Sequence, residues 1–157
     1  MIQEIEPDAK AKALKVSLGR YVWHGRFLAL ITAPLIYGCL IPFALLDAAI
    51  TLYQSVCFPI YKIPTVSRKR HFIFDRGKLR YLNLIERVHC LYCSYANGVA
   101  SYVAEIAART EQHWCPIKHK THYRHPYSRH DHFFHYGDAQ DYRDRIEEVR
   151  RDFRDLE

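Results

Sequence analysis

The chain has 157 residues, a formal net charge of +6 and five cysteines. That length holds one modest domain, and once its long apolar run is set aside too little remains for a large independent core. Zinc-finger spacing, an aromatic RNA-binding signature, a basic zipper, a hydrolase elbow, a phosphate loop and dinucleotide glycines are all absent, so an anionic membrane surface, not nucleic acid, is the simpler partner for the basic balance.

Residues 1–26 form a basic N-terminal arm. Glu4, Glu6 and Asp8 and the lack of a small-residue cleavage site do not fit a secretory signal, so the apolar run is expected to stay in the mature protein. Lys10, Lys12, Lys15, Arg20 and Arg26 bring positive charge up to that run, with Tyr21 and Trp23 where an interfacial aromatic belt would sit. The simplest reading of this arm is a snorkelling, solvated face; a specific lipid-headgroup site is the alternative.

Residues 27–61 are the membrane segment. Asp47 is its only charged residue, and the stretch from Phe27 to Leu46 has none. About twenty uncharged positions match a helix crossing a hydrocarbon core of roughly 30 Å. Two topologies compete. In one, a tilted helix kinked near Pro42 spans the bilayer, and residues 51–61 lie along the headgroups with Tyr53 and Tyr61 as anchors. In the other, the chain reverses near Gly38–Pro42 as a re-entrant hairpin. Five Lys/Arg precede the run and seven follow it closely, a small bias toward a cytoplasmic C-terminal side. Asp47 either reaches the interface or is a functional carboxylate at membrane depth. Two cysteines within the run, and an odd total, fit reduced thiols facing the cytoplasm better than a disulfide framework.

Residues 62–78 form a basic connector, punctuated by Pro64, the SRKR run at 67–70 and Gly77, with Asp75 a plausible N-cap for the next helix. Residues 79–112 follow a three-four alternation through Ile85, Val88, Tyr92, Tyr95, Val99, Tyr102 and Ile106. This predicts a long amphipathic helix, continuous through Asn97-Gly98, whose seam packs on the membrane-proximal segment or on another subunit. Residues 113–138 are a His-rich connector, able to bind metal or to act as a titratable basic arm. Residues 139–157 recover the alternation at Tyr142, Ile146, Val149, Phe153 and Leu156, predicting a short C-terminal helix.

The chemistry concentrates in Cys90-x2-Cys93 and Cys115-x3-His119, whose donor types and local spacings suit a zinc or iron site. A continuous helix, however, separates Cys93 from Cys115 by about 22 residues, roughly 33 Å. The alternatives are a helix break at Asn97-Gly98, a shared site between chains, two separate half-sites, packing thiols, or a redox dithiol, although a mid-helix C-x2-C lacks the N-terminal dipole that activates such a thiol. Glu86-x2-His89 has the local spacing of a di-iron bundle but no second copy.

The segment from Tyr81 to His119, especially YLNLIERVHCLYCSYANG and EIAARTEQHWCPIKH, together with the preceding FPIYKIP, resembles a family of short bacterial membrane-associated proteins of uncharacterised function. The resemblance implies a bacterial inner-membrane protein and no particular activity. The expectation is therefore an all-α, membrane-anchored protein with most of the chain cytoplasmic. It would act as a structural or accessory protein, associating through its long helix as a homo-oligomer or with another membrane protein. The competing reading is a metal- or thiol-dependent membrane enzyme or redox carrier using Cys90, Cys93, Cys115 and His119, with Asp47 or Glu86 as acid–base groups.

Overall fold

The computed structural model describes residues 27–121 and 129–156, together with Lys15, Ser17 and Gly19. The aromatic and most of the basic residues of the N-terminal arm, and His122 and His125, lie outside the described residues. The fold is mostly helical: α1 (Phe27–Gly38), α2 (Leu40–Tyr61), α3 (Leu84–Trp114) and α4 (Ala139–Val149), with single 3-10 turns at Arg68–Arg70, Arg76–Lys78, His130–His132 and Arg154–Leu156. Among the described residues there is no strand, only an isolated bridge between Ile117 and Phe134.

The break between α1 and α2 is a single residue, Cys39. Pro42 has no N–H for the Gly38 carbonyl and its ring crowds that carbonyl, which opens the ladder there. The chain does not reverse. Cys39 N–H donates to the carbonyls of Leu35 and Ile36, both at 3.3 Å, and Phe43 N–H donates to Cys39 at 3.2 Å. The apolar run is thus one long helix interrupted at Cys39, and the re-entrant hairpin is not formed. Ile31–Tyr61 is long and apolar enough to cross a membrane. Its 31 residues extend about 46 Å at ~1.5 Å per residue, more than the hydrocarbon core requires.

Residues 51–61 continue α2 without a break. The helix ends in a Schellman arrangement: Ile63 N–H reaches back to the Phe58 carbonyl at 2.8 Å, and Lys62 takes a left-handed φ of 57°. Phe58 and Ile63, the two apolar residues of that motif, are both buried.

The cap of α3 also differs from expectation. Asp75 precedes only the Arg76–Lys78 turn and makes no side-chain cap bond. Asn83 is the cap: its Oδ1 accepts from Glu86 N–H at 3.0 Å, and Glu86 Oε2 accepts from Asn83 N–H at 2.7 Å. This reciprocal capping box occupies Glu86 and moves the helix start to Leu84. The helix then runs through Asn97-Gly98 without interruption.

The chain divides into two compact units, Met1–Leu45 with Phe72–Gly98, and Leu46–His71 with Val99–Glu157. In the first, the Tyr37 ring stacks on His89 at 5.8 Å and meets Tyr92 edge-on at 5.6 Å, while Phe72 packs near Tyr95. Leu84, Val88 and Leu91 remain exposed, as do Ile31, Leu35, Ile41 and Leu45. In the second, Val99, Tyr102 and Ile106 are buried with Phe58, Ile63 and Val66. The predicted seam is therefore filled by the chain itself over its C-terminal part.

A buried amide organises that core. Gln54 Nε2 donates to Tyr102 Oη at 2.9 Å and to the Val66 carbonyl at 3.3 Å, and Gln54 Oε1 accepts from Val66 N–H at 2.7 Å. Tyr53, expected as a membrane anchor, lies 3.2 Å from the Thr110 hydroxyl. α4 starts at an Asp138 cap and ends at Val149, earlier than the sequence periodicity predicts.

Candidate metal centre

Three donors from three sequence segments converge in the second unit. Glu111 stands in the last turn of α3. Beyond that helix, Phe134 N–H donates to the Pro116 carbonyl at 2.8 Å and Lys118 N–H donates to the Phe134 carbonyl at 2.9 Å. These two bonds pin residues 116–118 beside residue 134, which brings His119 alongside the turn carrying His130. The two imidazoles are 5.4 Å apart between centroids, and His130 Nε2 lies 3.8 Å from a Glu111 carboxylate oxygen.

One donor atom from each of Glu111, His119 and His130 lies within 4.8 Å of the others, so the three can hold a metal ion. With metal–ligand bonds of about 2.1 Å, two ligands can stand at most about 4.2 Å apart. Ligation would therefore draw these atoms closer together than the 4.8 Å within which they now lie. Glu111 and His130 are half-buried and His119 is exposed, so the group is open to an ion from solvent.

The residues singled out from sequence have different places. Of Cys90, Cys93, Cys115 and His119, only His119 belongs to this group. Cys90, half-buried, and Cys93, exposed, lie on α3 in the first unit; Cys115 and His119 lie in the second. Burial, reinforced by the Glu111 carboxylate, pushes the Cys115 thiol up, favouring its neutral form. All five cysteines are free thiols. Glu86 is committed to its capping box and His89 to the Tyr37 stack.

From sequence, Glu111 stands out only as a further glutamate on the long helix and His130 only as a member of the His-rich tract. Neither has a local partner at a metal-ligand spacing.

Asp47 is largely buried and held in an ion pair. Arg68, from the SRKR run, grips it with both terminal nitrogens, Nη2 to Oδ2 at 3.0 Å and Nη1 to Oδ1. Thr51 joins the pair, accepting from Arg68 Nη1 at 3.1 Å and donating to Asp47 at 3.4 Å. The guanidinium also lies 5.3 Å from the centre of the Tyr102 ring. Comparison with protein-family models, with curated proteins and with solved structures gives no match.

Proposed function

We propose that this chain is a membrane-anchored accessory protein whose second unit holds a divalent cation between Glu111, His119 and His130. The observation that carries the metal reading is the convergence of one carboxylate and two imidazoles from sequence-distant segments. Two nitrogen donors and one oxygen donor suit zinc or ferrous iron, and three protein ligands leave a coordination position open. That open position favours a second reading, in which the bound ion activates water or a substrate instead of only bracing the fold.

The anchoring rests on the uncharged stretch Phe27–Leu46 and on the apolar side chains that Ile31, Leu35, Ile41 and Leu45 leave exposed, a surface unusual for a soluble protein. The small excess of Lys/Arg after the run favours a cytoplasmic C-terminal side, and the bacterial inner membrane is what the family resemblance implies. Leu84, Val88 and Leu91 offer an apolar surface for a second copy or another membrane protein.

Elemental analysis of detergent-purified protein tests the metal. About one zinc or iron per chain is expected in the wild type, with loss in His119→Ala/His130→Ala and retention in Cys90→Ser/Cys93→Ser. Loss in the cysteine variant and retention in the histidine variant would move the site to the thiols. Resistance of the wild type to alkaline carbonate extraction is the expected sign of a spanning anchor; release into the supernatant would reject it.

A further inference from the structure

We propose that a cleft in the second unit binds a phosphate-bearing anion. The cleft encloses about 390 Å³ between the connector, α3 and Leu156, and its polar lining is Thr65, Ser67, Arg70, His71, Glu105 and Arg109. Its charges are not equivalent. Arg109 is spent internally: Nε and Nη2 donate to Glu105 Oε1 at 2.9 and 2.8 Å, and Nη1 donates to the carbonyls of Pro64 at 2.8 Å and Thr65 at 3.3 Å. That ion pair cancels the one carboxylate in the lining and fixes the connector wall.

Arg70 is different. It is exposed, and its guanidinium has no hydrogen bond or ion pair among the described residues. The same holds for the hydroxyls of Ser67 and Thr65. The cleft therefore presents one uncompensated cation and two uncommitted hydroxyl donors. A guanidinium fork flanked by hydroxyls matches the several oxygens of a phosphate better than the two of a carboxylate.

His71 reports on the same charge balance. Its Nδ1 lies 3.0 Å from the Ser101 hydroxyl. Burial lowers its pKa first; Glu105 opposes this, and Arg109 and Arg70 add to it. An anion seated against Arg70 would relieve that repulsion and raise the His71 pKa.

The anion has two possible sources. Arg68, between Ser67 and Arg70, holds Asp47, the first residue after the uncharged stretch. If that stretch spans a bilayer, Asp47 and the Arg68 that holds it mark its end, and a lipid phosphate is the available anion. Otherwise a soluble phosphate compound fills it. The lipid source alone rests on the membrane reading.

The test is calorimetry with inorganic phosphate on the full chain in neutral detergent, carrying His119→Ala/His130→Ala so that no phosphate is held through a metal. Phosphate binding is expected, with acetate unable to compete. Arg70→Gln should weaken it about tenfold or more, the scale of losing a charge-assisted contact. Lys78→Gln, outside the cleft, should leave it unchanged. The His71 ring should titrate at higher pH with phosphate present. Absence of phosphate binding, or equal binding by Arg70→Gln, overturns the proposal. Phosphate binding seen in neutral detergent but lost in nanodiscs of phosphatidic acid or phosphatidylglycerol identifies a lipid headgroup as the occupant; binding equal in the two identifies a soluble one.

Discussion

Gln112→Ala should release the C-terminal segment from the end of α3 and lower stability by about 3–5 kcal/mol. Gln112 is 0 % exposed. Its Nε2 donates to the carbonyls of Val149 at 2.8 Å and Asp152 at 2.6 Å, and its Oε1 accepts from Arg129 Nε. Arg129 carries the connection onward, with Nη1 and Nη2 donating to the Asp155 carboxylate at 2.9 and 2.7 Å and its guanidinium 5.1 Å from the centre of the Phe153 ring. Truncating the amide strands several buried partners together, at about 1–3 kcal/mol each and less than additively. That loss is large against a typical domain stability of about 5–15 kcal/mol.

Hydrogen exchange is the direct measurement. Amides of residues 139–156 should lose protection in the variant before the α3 amides around Val99 and Ile106 do. Unchanged protection would mean that apolar packing of Val149 and Phe153, not the amide, fastens the segment. The variant should also bind metal more weakly, because the Gln112–Arg129 bond joins the immediate neighbours of Glu111 and His130. The clamp has a defined acid limit. The Arg129 hydrogen bond holds the Asp155 carboxyl below its ordinary value of 3.8. A carboxyl with a depressed folded pKa contributes its stability above the unfolded value. That contribution is lost as pH falls from about 3.8 through the lower folded value.

Features governed by local periodicity were legible in the sequence. The uncharged stretch, the break in the helix ahead of Pro42 and the continuity of α3 through Asn97-Gly98 all follow from spacing and backbone chemistry. The buried part of the seam, Val99, Tyr102 and Ile106, follows for the same reason.

What escaped was polar and long-range. Gln54 and Gln112 sit at the centre of the second unit because each satisfies backbone groups of a distant segment, and no pattern marks a glutamine for that task. The four-three alternation through Leu156 predicted a longer last helix, but the chain turns after Val149, where Gln112 takes the Val149 and Asp152 carbonyls. Glu111 and His130 are far apart in sequence, and the Ile117–Phe134 bridge ties the segment carrying His130 to the one that follows α3. Asn83 outcompeted Asp75 as the cap because Glu86 stands three residues on, completing a reciprocal pair that Asp75 has no partner to form.

Arg68→Ala should lower stability by about 1–3 kcal/mol, and Asp47→Asn should recover part of that loss in the double variant. Breaking a fully buried ion pair costs about 3–5 kcal/mol, largely because the remaining charge is stranded. Here the Arg68 side chain is 43 % exposed and Asp47 only 12 %. Solvent screens the arginine end, so the penalty is discounted, and it falls mainly on the carboxylate. Asp47→Asn removes the stranded charge while leaving an amide for Thr51. The single loss in Arg68→Ala should therefore exceed that in Asp47→Asn, and the two should be strongly non-additive. A double-mutant cycle from denaturant unfolding in detergent measures the coupling; additive losses would reduce the pair to a surface contact. The cycle repeated in nanodiscs carries further information. At membrane depth an unpaired carboxylate costs about 2.5–3.5 kcal/mol on insertion scales. A coupling larger in the bilayer than in detergent would place Asp47 within the apolar slab, neutralised there by Arg68. Equal couplings would place it at the polar boundary, with Phe27–Leu46 alone inside.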